Sequence, residues 1–261
     1  MAAAFTLSAE HEHLMAEVRA LARDVLAPLA RTGQPGRVNR KLVRALGDHG
    51  LIARLVPPNR AHQGSASALE LCLLREALAR ESTEAETALA LQGLGADPIA
   101  AAGGDAVAGR WLPAVARTAP AEARTRGITA FAVPGDAPGL QGEQLDLLAP
   151  HAIGRLAFDG VRVGAEQVLG RAGEGFALAM RTLDRYRPSV GAETAQWVVD
   201  SAVQVHGARA LVRGHLLEHL YREVRAPRIY EGTSEIQRTV IARELFRELR
   251  DRPDQPKDEQ P

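Results

Sequence analysis

Apolar residues recur at spacings of three and four along most of this chain, and that spacing predicts helices. Residues 8 to 31 are the first example. Leu14, Val18, Leu21, Val25 and Leu29 form one apolar face, Ser8 is placed to cap the start, and Pro28 is expected to kink or end the helix. A break with Gly and Pro at 33–36 leads to a shorter helix from about Asn39 to His49, closed by Gly50. Residues 56 to 64 form a Pro-containing loop. Ser65 or Ser67 then caps a helix through Glu81, and Ser82-Thr83 opens another through Leu91. A short helix over Ala106–Ala116, containing Trp111, completes an all-helical first segment.

The pattern changes near Thr118. Gly127 to Pro134 is a strand bounded by breakers, and Asp136-Ala137-Pro138-Gly139 is a turn. Ile153–Phe158 and Val161–Val163 predict two further short strands around Asp159-Gly160. Three short strands cannot bury both faces alone and must lean on helices or on another chain. Helical spacing returns over Phe176–Tyr186, Glu193–Val205, Leu211–Val224 and Ser234–Leu249. Residues 251–261 are polar, carry three prolines and are expected to be disordered. The fold class expected is mainly α with a small β domain. Its divisions are a helical domain over 1–117, a reduced β domain over 118–170, a helical domain over 171–250 and the tail.

Composition narrows the function. Thirty-two basic and thirty-two acidic residues cancel, so nothing draws the chain generally to nucleic acid or an anionic membrane. The same balance leaves little repulsion between copies. Hydrophobic residues are 46% of the chain, enough for a packed core, yet no run approaches the length of a membrane span. The single cysteine, Cys72, excludes an internal disulfide, and the N-terminus lacks the pattern of a signal peptide; both suit a cytoplasmic protein. His215 and His219, four apart, share a helix face but lack a third ligand, so no metal site is expected.

The stretch Arg228-Ile229-Tyr230-Glu231-Gly232-Thr233-Ser234-Glu235-Ile236-Gln237-Arg238 is a loop entering a helix. Gly232 breaks the chain, Thr233 or Ser234 can cap the helix, and Glu235 or Gln237 can close a capping box. Free N–H groups at that start suit an anion or polar ligand atom. From the residues alone, Glu231 is either a surface carboxylate or a functional one.

This run, with Ile241-Ala242-Arg243-Glu244, closely resembles the C-terminal signature of the acyl-CoA dehydrogenase family. Gln204-Val205-His206-Gly207, Glu218 to Glu223, Asp184-Arg185-Tyr186-Arg187-Pro188, Pro150 to Gly170, Leu91 to Gly95 and Arg110 to Pro113 also resemble family segments, in family order. The resemblance implies removal of hydrogens from the α and β carbons of an acyl-CoA thioester, with FAD as acceptor. It implies Glu231 as catalytic base, with its backbone N–H as a donor to the thioester oxygen. Gly232 would admit the substrate, Asp184 and Arg187 would contact its CoA part, and Gln204, Gly207, Thr233, Ser234 and Glu235 would contact the flavin. It also implies an electron-transfer flavoprotein as acceptor and an oligomer.

Two family segments are missing between matching flanks. After Val115-Ala116-Arg117 there is no Thr-Glu-Pro-x-x-Gly-Ser-Asp or Trp-Ile-Ser/Thr-Asn, and after Ala192 there is no helix pair with Arg-x-x-Phe-Gly. The chain is therefore a shortened member by resemblance. Three readings stand: a minimal FAD-dependent dehydrogenase, an impaired paralogue serving as partner subunit of a full-length member, and a truncated remnant.

Overall fold

The computed structural model describes residues 6–55, 67–102, 111–149, 151–186 and 192–229, together with 233, 235, 236, 238, 239, 242 and 246. Contacts divide the chain into two units, Met1–Tyr186 and Arg187–Pro261.

The first unit opens with α1, Ala9–Leu21. The Ser8 hydroxyl accepts from the His11 N–H at 3.3 Å, and Glu10 and Glu12 complement the positive helix start. Pro28 does not end this helix. A π-helical turn over Ala22–Leu26 precedes it, in which the Ala27 N–H reaches back to the Ala22 carbonyl, and α2, Ala27–Arg31, follows directly. A wider turn accommodates a ring that supplies no N–H. Helix α3, Arg40–Asp48, is capped by Asn39, whose side chain accepts from Leu42 at 3.1 Å. Gly50 follows at φ 75, and a short α4, Leu51–Leu55, comes next. The loop expected over 56–64 lies outside the described residues.

Ser67 begins α5, Ala68–Ala79, with a reciprocal capping box: Ser67 accepts from the Glu70 N–H and Glu70 accepts from the Ser67 N–H. Helix α6 runs over Thr83–Ala102, eleven residues beyond the end expected at Leu91, and passes through Pro98. Burial explains the extension. Leu89, Gly93, Asp97 and Pro98 all face the interior, so packing outweighs weak local propensity.

Strand β1, Trp111–Arg117, replaces the helix expected over 106–116. It pairs antiparallel with β2, Ile128–Pro134, from Trp111 opposite Pro134 to Arg117 opposite Ile128. Cross-strand pairing overrides the alanine-rich helical pattern, and Pro113 is tolerated because β1 lies at the sheet edge. Strand β3, Leu140–Gln144, pairs with β4, Gly154–Phe158, as a separate two-stranded sheet. The third sheet strand is β5, Val168–Leu169, on the other side of β2; the expected strand Val161–Val163 is irregular backbone. One three-stranded sheet was expected, and two small sheets are present.

Helix α7, Gly175–Tyr186, packs against α6 and β2. Two apolar clusters result. The larger joins Leu14, Leu26, Leu42, Leu46, Leu78 and Leu89 to Tyr186, which is 1% exposed. The smaller joins Ala130, Ala132 and Leu169 to Leu178. Between α6 and α7 the Thr182 hydroxyl donates to Asp97 at 2.8 Å in a buried setting.

In the second unit, α8 spans Ala192–His206 and α9 spans Leu216–Glu223. A continuous helix was expected over 211–224. Instead a 3₁₀ turn covers Gly207–Leu211, Gly214 takes φ 92, and His215 caps α9 by accepting from Leu217 at 3.1 Å. A positive φ ends any right-handed helix, so α9 can begin only after Gly214. Of the expected helix 234–249, residues 235, 236, 238, 239, 242 and 246 are helical, and the rest lie outside the described residues. Among the described residues no helix is long and apolar enough to cross a membrane.

Candidate functional site

Most of the candidate residues belong to the second unit, and Asp184 belongs to the first. Glu231, Gly232, Ser234 and Arg187 lie outside the described residues. Asp184 sits on the last turn of α7. Gln204 and Gly207 lie where α8 gives way to the 3₁₀ turn. Gln204 is exposed, and Gly207 adopts φ 60 with open space where a Cβ would stand. A positive φ there lets the chain turn out of α8 without steric penalty.

Two of the expected flavin contacts meet each other. The Thr233 hydroxyl hydrogen-bonds the Glu235 carboxylate. The carboxyl is held below the ordinary carboxylate range, first by the residue's own backbone N–H, then by Thr233, with Arg238 and Arg228 adding positive charge. A carboxylate held by its own backbone N–H differs from the reciprocal capping box expected for this junction, in which the carboxylate reaches back to the capping residue.

Arg228 was given no role from sequence, and the structure draws attention to it. Its Nε is buried with no hydrogen-bond partner among the described residues, while its charge acts on Glu235. Its place at the head of the signature run was the available signal. Just upstream, α9 carries its own ion pair: Arg222 Nε donates to Glu218 at 2.7 Å. His215 is used as a cap and His219 lies 3.8 Å from Glu223, so both histidines have local partners. Among the described residues no cluster of His, Cys, Asp or Glu could hold a metal ion. Burial raises the Cys72 pKa, keeping it a thiol.

The donor set can be tested against a flavin dinucleotide. Such a group offers phosphate oxygens and ring carbonyls as acceptors, and needs approachable donors. An exposed Gln204 amide, an open Gly207 backbone and the Thr233 hydroxyl are donors of this kind. The polar edge of the group calls for donors of this chemistry. In the family resemblance, alanines stand at 208 and 210 where glycines are usual. Ala210 is fully buried, so its methyl faces the interior of the turn and only Ala208 is exposed.

Mostly helices with a small antiparallel β portion define the fold class. The same fold occurs in butyryl-CoA dehydrogenase from Megasphaera elsdenii, with a TM-score of 0.76 at 18% identity, covering 94% of this chain and 100% of that one. Residues 8–119 match the pattern of the acyl-CoA dehydrogenase N-terminal domain, and residues 190–246 match that of the C-terminal domain. The chain belongs to the acyl-CoA dehydrogenase family. It is 22% identical to cyclohexane-1-carbonyl-CoA dehydrogenase of Geobacter metallireducens over 94% of this chain and 99% of that protein. That alignment runs over 379 positions, longer than the 261-residue chain, so it must open long gaps in the shorter partner. It is also 46% identical to the 3-(aryl)acrylate reductase of Clostridium sporogenes over 56 residues, 22% of this chain and 15% of that protein.

Proposed function

We propose that this chain carries out FAD-dependent α,β-dehydrogenation of an acyl-CoA thioester with Glu231 as base. The observation that carries this reading is the unbroken run Arg228 to Arg238, within the segment that matches the family's C-terminal domain.

The chemical difficulty is a weakly acidic C–H bond. A carboxylate at Glu231, shielded from water, gains basicity because burial disfavours its charged form. It takes the α proton while its own backbone N–H donates to the thioester oxygen, where enolate charge develops. Gly232 leaves room for the acyl chain beside the base. Asp184 and Arg187 hold the CoA portion, so binding remote from the reacting carbons positions them. Gln204, Gly207, Thr233, Ser234 and Glu235 hold the flavin. FAD, when bound, would supply the acceptor for the β hydrogen, and the partners proposed are an electron-transfer flavoprotein as electron acceptor and further subunits of a cytoplasmic oligomer.

The test is the flavin absorbance spectrum of the purified protein before and after anaerobic addition of acyl-CoA. Bleaching is expected. Glu231→Gln should retain flavin and slow bleaching by about 100-fold or more, in line with the loss of a general base. Bleaching of the variant at the parent rate would place the base elsewhere. A colourless protein that takes up no added FAD would overturn the enzymatic reading and leave an impaired partner subunit, which co-purification with a full-length family member would support.

A further inference from the structure

Helix α7 ends at Tyr186, and an arginine 111 residues earlier holds that end. Arg75, on α5, donates from Nη1 to the Tyr186 backbone carbonyl at 3.1 Å. The last carbonyls of a helix have no partner within it and carry the negative end of its dipole, so a guanidinium there meets both needs. Arg75 Nε donates to the Glu86 carboxylate of α6, which fixes the plane of the guanidinium. The two side chains are only 21% and 15% exposed. A pair so far withdrawn from water adds little net stability, because desolvation offsets the attraction; what it supplies is one fixed geometry.

Tyr186 is anchored a second time through its ring, which is buried in the larger apolar cluster. Gly93 of α6 makes room for that ring, since a Cβ there would stand 2.6 Å from the hydroxyl oxygen. Residue 186 is thus gripped by backbone and side chain at once. Asp184 lies in the same last turn, two residues before it, and Arg187 follows it directly in sequence. Consecutive Cα atoms are about 3.8 Å apart, so a fixed residue 186 leaves its neighbours' backbone little freedom.

We infer that Arg75 is a positioning residue for CoA recognition: through the Tyr186 carbonyl it sets the end of α7 that carries Asp184 and leads into Arg187. The inference rests on the proposed function, in which those two residues hold the CoA portion of the substrate. Arg75 itself touches no ligand in this scheme. Lysine cannot replace it, because one ammonium does not reproduce the planar fork that joins the Glu86 carboxylate to the Tyr186 carbonyl.

The test is calorimetric titration of free CoA into the purified full chain, which requires no turnover. Arg75→Lys should keep a cooperative thermal melt and weaken CoA binding about 10-fold, the worth of a charge-assisted hydrogen bond. In an Asp184→Asn/Arg187→Gln background the same substitution should change CoA affinity by less than about 2-fold, because nothing is left to position. A merely structural role would weaken both backgrounds alike. Glu86→Ala, which frees the other arm of the fork, should repeat this pattern at about 5-fold, and it decides the matter if Arg75→Lys fails to melt cooperatively. CoA affinity unchanged by both substitutions, or a loss that persists in the doubly substituted background, would overturn the inference and leave the proposed function standing. A parent chain that binds no CoA would overturn both, and that result is visible before any substitution is made.

Discussion

The two units invest their hydrophobic residues differently. In Met1–Tyr186, leucines from α1, α3, α4, α5 and α6 converge with Tyr186 on one cluster in which most side chains are almost completely hidden. In the segment from 187 onward, the described residues bury Val199 and Ala210 and leave Trp197, Val205, Leu211 and Leu216 facing out. The first unit has enough core to hold itself. Among the described residues of the second, the helices leave most of their large apolar side chains exposed. A shortened family member thus combines a helical and β unit that has its own core with a unit whose described helices leave much apolar surface exposed. Most of the residues expected to carry the chemistry, Glu231 among them, belong to the sequence of that second unit.

The contrast can be broken most sharply by truncation. Leu46 is fully buried in the larger cluster, so Leu46→Ala should destabilise the protein by about 2–5 kcal/mol, the lost transfer energy plus the cavity. Ile229→Ala, at a residue more than half exposed in the second unit, should change stability by less than about 0.5 kcal/mol. Urea midpoints followed by helical circular dichroism measure both. Equal losses would show that the second unit has a core as tight as the first.

A smaller effect sharpens the same point by overfilling. A Cβ on Gly93 would stand 2.6 Å from the Tyr186 hydroxyl oxygen and 2.8 Å from Leu55 Cδ1. Gly93→Ala should therefore cost about 1–3 kcal/mol even though alanine is the better helix former. Ala208→Gly, on the exposed turn after α8, provides the matching change in the second unit and should move the midpoint by only a few tenths of a kcal/mol. A Gly93→Ala protein as stable as the parent would mean that α6 and α7 are not packed as tightly as the geometry indicates.

The cores of these units were legible to different degrees, and the reasons are physical. Ser8, Asn39, Ser67 and Gly50 announce helix ends because capping is local: a side chain three residues away, or a positive φ, is enough. Helices α7 and α8 were legible by spacing. Strand β1 was not, because Trp111–Arg117 becomes a strand only through β2, and pairing between distant segments leaves no local mark. Strand β3 was missed for the same reason: its partner β4 follows ten residues later. The reach of α6 through Pro98 depends on burial that no window of sequence displays. The late start of α9 was visible in Gly214, but the apolar spacing around it was given more weight. At the site, the signature run revealed the family, and Thr233 and Glu235 do meet. Arg228 went unnoticed because what sets it apart is a buried nitrogen with no partner among the described residues, which its residue type does not announce.

The smallest expected effect concerns acid. Glu218 is held below its ordinary value of 4.5 chiefly by its hydrogen bond to Arg222, with help from the Gly214 N–H and the charges of Arg222 and Arg213. A carboxyl whose pKa is lowered by folding stabilises the folded state fully above its unfolded pKa, and that contribution fades as pH falls from about 4.5 through the folded value. Asp24 in the first unit is lowered too, by Arg23. Those two are adjacent in sequence, so much of their attraction survives unfolding and cancels in the difference. Arg222 reaches Glu218 across a turn of α9 and loses it when the helix unravels. Acid should therefore loosen the second unit before the first. Thermal melts of parent and Glu218→Gln proteins should differ slightly at pH 7 and converge as pH drops through the lowered folded value, while Asp24→Asn should track the parent throughout. A Glu218→Gln difference that persisted unchanged into acid would show that the side chain acts through packing and not through its charge, and would remove this distinction between the two units.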